Sequence, residues 1–186
     1  MSDDEPIRFL NGSRLYLRKP AESDLPLFLR WINDPDTWHW LGRVSPMNMT
    51  DEKAWFEALE NGNPPTNFVF TIVLEERDEP IGVMGLHAVD WINRRGTTGS
   101  LLGEERHRGR GYGLEAKRLL LRYAFETLGL NRVNSSAIAY NHRSRRHLEK
   151  VGYVLEGRRR KAWFRNGEWH DELIFGILAE DWRGSD

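Results

Sequence analysis

The 186-residue chain contains no cysteine, and this absence removes disulfides, thiolate nucleophiles and zinc sites built on thiolates from consideration. A covalent acyl-cysteine intermediate is excluded with them, and no metal is expected. Long apolar runs are also missing. No window approaches the roughly 18 apolar residues of a membrane-spanning helix, and Met1 to Pro6 is acidic and polar rather than basic and then apolar. A cytoplasmic protein without membrane association is the expectation. There is no internal repeat and no linker, and neither sign of charge dominates, with 27 Lys and Arg against 28 Asp and Glu. One domain over residues 1–186 is expected, with its core at about 13–182 and flexible ends at 1–8 and 183–186.

What is present suits a globular protein: 39% apolar residues, 30% charged residues and eight Trp that need a core or a binding surface. The balanced charge conceals an uneven distribution. Between Asn131 and Arg165 lie eight Arg and two Lys against two Glu, a surplus of guanidinium groups that suits a phosphorylated cofactor or a nucleic acid.

Ser13 to Arg18 alternates apolar and polar residues as a half-buried strand would, and Pro20 stops it. An apolar helix follows over Ala21 to Asn33, and a second begins near Thr50 as cap and carries Trp55, Phe56 and Leu59. Asn67 to Leu74, Pro80 to Val89 and Gly96 to Leu102 read as an antiparallel meander. Gly111 to Leu128 is a long helix, Arg132 to Tyr140 a strand, and Asn141 to Val151 a helix closed by Gly152. Tyr153 to Phe164 and Glu168 to Leu178 are strands joined by Asn166-Gly167, a strong hairpin signal. The order β-α-α-β-β-β-α-β-α-β-β predicts a mixed α/β (α+β) fold. Its seven-stranded sheet is mostly antiparallel, flanked by about four helices, with one parallel pairing near the middle of the chain.

The segment that carries chemistry is Arg108-Gly109-Arg110-Gly111-Tyr112-Gly113, between a strand and the long helix. Glycines let backbone approach a ligand closely, and a helix start offers unpaired N–H groups and a positive dipole end to an anion such as a pyrophosphate. A turn that merely lets the helix begin is the structural alternative. A P-loop is excluded because no Gly-Lys-Ser/Thr follows. A Rossmann fingerprint is excluded because the preceding strand belongs to a meander.

Arg108, Gly111 and Gly113 match the Gln/Arg-x-x-Gly-x-Gly/Ala signature of the GNAT family of N-acetyltransferases, which the chain resembles over roughly residues 13–182. Leu102-Gly103-Glu104-Glu105 leads into the signature, and Asn141-x-x-Ser144 followed by Glu149-Lys150-Val151-Gly152-Tyr153 resembles the subgroup of ribosomal-protein alanine and spermidine acetyltransferases. The resemblance implies the GNAT fold and transfer of acetyl from acetyl-CoA to an amine by direct attack in a ternary complex. It also implies that the strand before the turn splays from its neighbour. Leu101, Leu102 and Gly103 would then border the pantetheine arm, with a main-chain N–H of Leu101 or Leu102 on the thioester carbonyl. His107, Arg108, Gly109, Arg110, Gly111, Tyr112 and Gly113 would hold the pyrophosphate. Asn141 and Ser144 would face the pantetheine and sulfur, and Arg146, with Arg143, would reach the adenosine phosphates. Capping of the following helix is a compatible role for Asn141.

Two positions depart from the family pattern. Leu148 stands where many members carry the Tyr that protonates the thiolate, which leaves Ser144 as acid or water holder. Thr97 stands where a Glu base is often found, which leaves His87, Asp90, Glu104, Glu105, Asp171 or ordered water. The acceptor side would be formed by Trp38 and Trp40, paired on one wall of an extended loop, and by Trp163 and Asp171 of the last hairpin, with His87 and Asp90. The acceptor class stays open among a small amine or polyamine, an antibiotic, an amino sugar and a protein or peptide N-terminus. A homodimer is compatible with the sequence. Other readings are a catalytically silent acetyl-CoA sensor and a nucleic-acid binder built on Arg158-Arg159-Arg160-Lys161. The latter is disfavoured, because alternate residues of a strand face opposite sides.

Overall fold

The computed structural model describes residues 7–59, 62–182 and 184. Of the ends expected to be flexible, residues 1–6, 183, 185 and 186 lie outside the described residues. Arg8, inside that range, is held by an ion pair to Glu75.

Eight strands form one sheet in the order β1-β2-β3-β4-β5-β6-β8-β7. They are β1 (Leu10–Asn11), β2 (Leu15–Arg18), β3 (Phe68–Leu74), β4 (Glu79–Asp90), β5 (Arg95–Leu102), β6 (Arg132–Ile138), β7 (Val154–Arg165) and β8 (Glu168–Leu178). The expected seven strands become eight because Leu10 and Asn11 pair with Leu17 and Tyr16. Two residues of pairing leave no periodic pattern to read. Only β5 and β6 run parallel.

Five α-helices accompany the sheet: α1 (Leu25–Asn33), α2 (Pro35–Trp38), α3 (Met49–Ala58), α4 (Tyr112–Arg122) and α5 (His142–Val151). The unexpected one, α2, has Pro35 at its first position and Asp34 as cap, accepting from the N–H groups of Asp36 and Thr37. The cap of α3 is Asn48 rather than Thr50, with Asp51 reciprocating. After Arg122, α4 widens into a π turn over Tyr123–Thr127. At the tip of the β7–β8 hairpin, Asn166 and Gly167 take φ of 52° and 81°, the paired left-handed turn that Asn-Gly favours.

Strand alternation divides the core between the two faces of the sheet. On one face Met84, Leu86 and Ile72 pack with Leu119, Leu120 and Leu121 of α4 and Leu148 of α5. On the other, Leu25, Phe28 and Trp31 of α1 pack with Trp55 and Phe56 of α3 and with Val83 and Leu101. Gly103, just past β5, lies against Trp31 so closely that a Cβ would fall 2.0 Å from the indole. Only glycine lets the chain leave the strand there and turn toward α4.

Candidate active site

β5 and β6 pair for three residues only, Arg95↔Arg132, Gly96↔Val133 and Thr97↔Asn134, and then separate, although β5 continues to Leu102 and β6 to Ile138. The root of the fork is tied by side chains. Ser135 Oγ donates to the Thr98 carbonyl at 3.1 Å, and the Thr98 and Tyr153 hydroxyls share a buried 2.7 Å hydrogen bond. Beyond it the edge of β5 that faces β6 lacks a strand partner, so its polar groups face a cleft of about 730 Å³.

The glycine turn closes one end of this cleft. Gly111 caps α4 from the left-handed region, φ 85°, without a side-chain cap bond. The first-turn N–H groups therefore lack a capping acceptor from Gly111, and Glu115 N–H to the Gly111 carbonyl, 3.0 Å, is the first bond of the helix. A Cβ on Gly113 would point toward His147 and Leu102, both at 3.6 Å and both lining the cleft. Arg108, Lys117, Arg143, Arg146 and Lys150 line the cleft, and no carboxylate does so among the described residues. Its charge is therefore of one sign.

Most residues implied for the cofactor come together here: Leu101, Leu102, Arg108, Gly109, Gly111, Gly113, Asn141, Ser144 and Arg146 all line the cleft. The Arg108 guanidinium is engaged with protein, donating to the carbonyls of Leu102 and Gly103 at 3.2–3.3 Å, so it ties the turn to the end of β5. Gly103 and His107 are buried behind the cleft. Arg110 accepts through its carbonyl from Arg14, whose guanidinium also covers the Tyr112 ring. Asn141 is the helix cap that sequence allowed, its Oδ1 accepting from Ser144 N–H at 3.0 Å. Leu148 is buried and lines the cleft, so a non-ionisable side chain faces the ligand where the family often has Tyr.

The proposed acceptor residues divide. Trp40 and Trp163 line the cleft; Trp38, His87, Asp90 and Asp171 do not. The pairing of Trp38 with Trp40 on one wall is overturned, because residues 37–41 coil into helical turns, with Trp40 N–H on the Thr37 carbonyl and Leu41 N–H on that of Trp38. Two residues apart on a helical turn differ by about 200° in direction. Asp90 holds the β4–β5 turn by accepting from Asn93, and Asp171 pairs with Arg158 while accepting the Lys161 N–H. His87 lies over Gly85 and Gly99. Glu104 is paired with Arg30 and Arg106.

Three features escaped the sequence. Tyr140 joins Trp40, ring centroids 5.6 Å apart, and its hydroxyl meets His39 Nε2 at 2.9 Å. Arg165 donates to the carbonyls of His39 and Leu41, pinning the segment after α2 to the last hairpin. Lys117, a charged residue midway along α4, is 1% exposed and contributes to the cleft lining. None of the three has a local signal, since each depends on elements distant in the chain.

A family model for the acetyltransferase (GNAT) domain matches residues 14–154. The chain belongs to the GNAT family. Two full-length comparisons agree: an N-acetyltransferase of Bacillus licheniformis, p20, of uncharacterised activity, is 26% identical over 94% of this chain and 98% of its own length, and an acetyltransferase structure from T. thermophilus is 31% identical over 93% and 90%, TM-score 0.75. YdaF of Bacillus subtilis (strain 168), provisionally assigned as a ribosomal N-acetyltransferase, is 37% identical, but over 55% of this chain and 56% of its own, so the match spans about half of either protein. The spermidine N-acetyltransferase of Vibrio cholerae, solved with CoA and spermine, has the same fold, with TM-score 0.83 at 20% identity over 91% and 98%.

As a GNAT protein the chain is an acyltransferase that draws on acetyl-CoA. The residues present fit that molecule. The glycine turn leaves room that side chains would fill, the lining is cationic, and the His147 Nε2 beside Gly113 is buried without a hydrogen-bond partner among the described residues. Burial and the neighbouring Lys117 and Arg143 push His147 down to about 4, so it is neutral at physiological pH. Among the described residues no helix is long and apolar enough to cross a membrane.

Proposed function

We propose that this GNAT protein moves acetyl from acetyl-CoA to the primary amine of a small cationic molecule or of a peptide N-terminus, by direct attack within a ternary complex. The supporting observation is the cleft itself, in which the splayed edge of β5, the uncapped first turn of α4 and five cations converge. Acetyl-CoA supplies an activated acyl group, so the protein has to bind, orient and polarise. The first-turn N–H groups at 111–114, with Arg143 and Arg146, suit the pyrophosphate and adenosine phosphates. A main-chain N–H of Leu101 or Leu102 is suited to polarise the carbonyl that the amine attacks.

The acceptor end is the opposite mouth, where Trp40 and Trp163 line the cleft and Tyr140 stands behind Trp40. Aromatic faces there suit an ammonium awaiting deprotonation. A panel of polyamines, aminoglycosides, amino sugars and N-terminal peptides, read by thiol release and by product mass, tests the assignment. Acetyl transfer to at least one class is expected, whereas acetyl-CoA binding without thiol release from any of them would convert the reading to that of a silent sensor.

Trp40→Ala tests the acceptor end. It should raise the amine KM about tenfold or more and leave acetyl-CoA affinity within about twofold, as expected when a contact to only one of two ligands is removed. Trp40 is 37% exposed, so its truncation should cost less stability than the roughly 3–5 kcal/mol of a core aromatic. A large stability loss with an unaltered KM would return Trp40 to the core.

Self-association belongs to the same proposal. The edge strand β7 exposes Val154 and Leu155, and the hairpin tip exposes Phe164 and Trp169, apolar surface that a second copy can cover. Light scattering that gives a single-chain mass at micromolar concentration would exclude a stable homodimer.

A further inference from the structure

Lys117 has no place in the assignments above, yet it occupies the least favourable position in the protein for a cation. Its side chain leaves the sheet-facing side of α4 and is 1% exposed. Its neighbours in sequence, Ala116 and Leu119 to Leu121, pack into the apolar core. An ammonium taken out of water ordinarily acquires a carboxylate. Lys117 has neither an ion pair nor a hydrogen bond among the described residues, and what it borders is the cleft.

The groups that surround it come from each packed element. β4 contributes His87 and α5 contributes His147 with Arg143 beyond it, and both imidazoles are made harder to protonate by the ammonium. Along the cleft β5 presents Thr97 and Thr98, β6 presents Ser135, and α5 presents the apolar Leu148. β2 faces α4 with Leu15 and Leu17. None of these neighbours is an acid, and burial alone brings Lys117 down to about 7.

The reaction leaves one chemical need without a provider. When the amine bonds to the acetyl carbon, the carbon–sulfur bond breaks and its electron pair stays on sulfur, which has to be protonated or charge-stabilised in a dry channel. Tyr is missing at Leu148. We propose that the Lys117 ammonium is the acid that meets the departing sulfur of coenzyme A.

In that step the Lys117 Nζ gives one proton to sulfur and becomes a neutral amine. The attacking nitrogen, now bonded to acetyl, loses its surplus proton to solvent, and Lys117 recovers a proton from solvent before the next turnover. Charge and protons balance with no further reactant. A lysine held near the operating pH is suited to the task, because it is protonated often enough to act and acidic enough to give the proton up. The cost of burying it is offset by the work it does in the cleft.

The inference rests on the acetyl-CoA assignment of the cleft, and its test separates the two. CoA and desulfo-CoA are titrated by calorimetry into the wild type, Lys117→Met, Lys117→Gln and Ser144→Ala at several pH values, and the thiolate absorbance of bound CoA is recorded. In the wild type the bound thiol should ionise at least one pH unit below free CoA, and CoA should gain affinity over desulfo-CoA by tenfold or more as it ionises. Both effects should vanish in Lys117→Met and Lys117→Gln while desulfo-CoA affinity stays within about threefold, and both should persist in Ser144→Ala. kcat should fall about 100-fold in the Lys117 variants.

A wild-type complex whose thiol titrates like free CoA overturns the role of Lys117 and leaves the cleft assignment standing. So does a Lys117→Met enzyme with unchanged kcat. Loss of the thiolate signal in Ser144→Ala alone transfers the role to Ser144. If the wild type binds neither CoA nor desulfo-CoA, the cleft assignment fails first. The wild-type titration needs no variant to fold.

Discussion

In Gly113→Glu, acetyl-CoA should no longer raise the thermal midpoint. A ligand that binds only the folded state stabilises it by about 2.7 kcal/mol at one hundred times its Kd, which in a domain of this size corresponds to roughly 5–10 °C. The wild type should show that shift and the variant less than about 1 °C. The position is chosen for its direction. Gly113 lies in the first turn of α4 outside the left-handed region, and its Cβ would point at His147 and Leu102 across the cleft. A side chain there narrows the channel without straining the backbone, and a carboxylate at a helix start is electrostatically favourable for the unliganded protein. Gly111 is a poorer choice. Its φ of 85° penalises any side chain, and its Cβ would point at Arg14, 3.2 Å away, which would neutralise an introduced Glu. An undiminished shift in folded Gly113→Glu would place acetyl-CoA elsewhere on the protein.

The second large effect concerns stability and pH. The ordinary lysine pKa of 10.5 applies to the unfolded chain, whereas burial lowers Lys117 to about 7 in the fold. Below 7 both states carry the proton and the full penalty of the buried cation is present. Between 7 and 10.5 the unfolded chain binds more protons than the folded one, so stability rises with pH, and above 10.5 the penalty is gone. Lys117→Met should therefore be more stable than the wild type by several kcal/mol at about pH 6–7, with pH 6 at the upper end. The difference should shrink steadily toward pH 10.5. Urea midpoints measured at several pH values check it, provided the slope m is unchanged. A variant that is less stable at pH 6 would mean that the ammonium has a partner or water in the fold, and that its burial costs little. His147 adds a slope of the same sign at lower pH, since its folded value of about 4 lies below the ordinary 6.5.

Gly113 and Lys117 differ in how far the sequence reveals them. Gly113 was legible, because a glycine-rich turn before an amphipathic helix is a local pattern that specifies a local structure. The meander, the long helix and the Asn166-Gly167 hairpin were legible for the same reason: side-chain period and turn chemistry act over a few residues. The two-residue β1 was not, because its pairing to β2 supplies the whole signal. Nor was α2, where Pro35-Asp36 after Asp34 reads as a stop although the Asp34 side chain starts a new helical turn. That one turn separates Trp38 from Trp40 and changes which of them reaches the cleft.

The sequence by itself determined the family, the donor and the end of the sheet at which the donor binds, because Arg108, Gly111 and Gly113 form a continuous segment whose backbone geometry makes the anion site. Only the tertiary structure decided which side chains meet there. Tyr140 reaches Trp40 and His39 from a distant part of the chain, Arg165 pins the segment after α2 from the far hairpin, and Asp90 and Asp171 turn out to hold turns and bulges. Lys117 is the clearest case. On a helical wheel a lysine beside an arginine reads as solvated surface, and its burial follows from the parting of β5 and β6 beneath α4, which depends on packing among strands far apart in the chain.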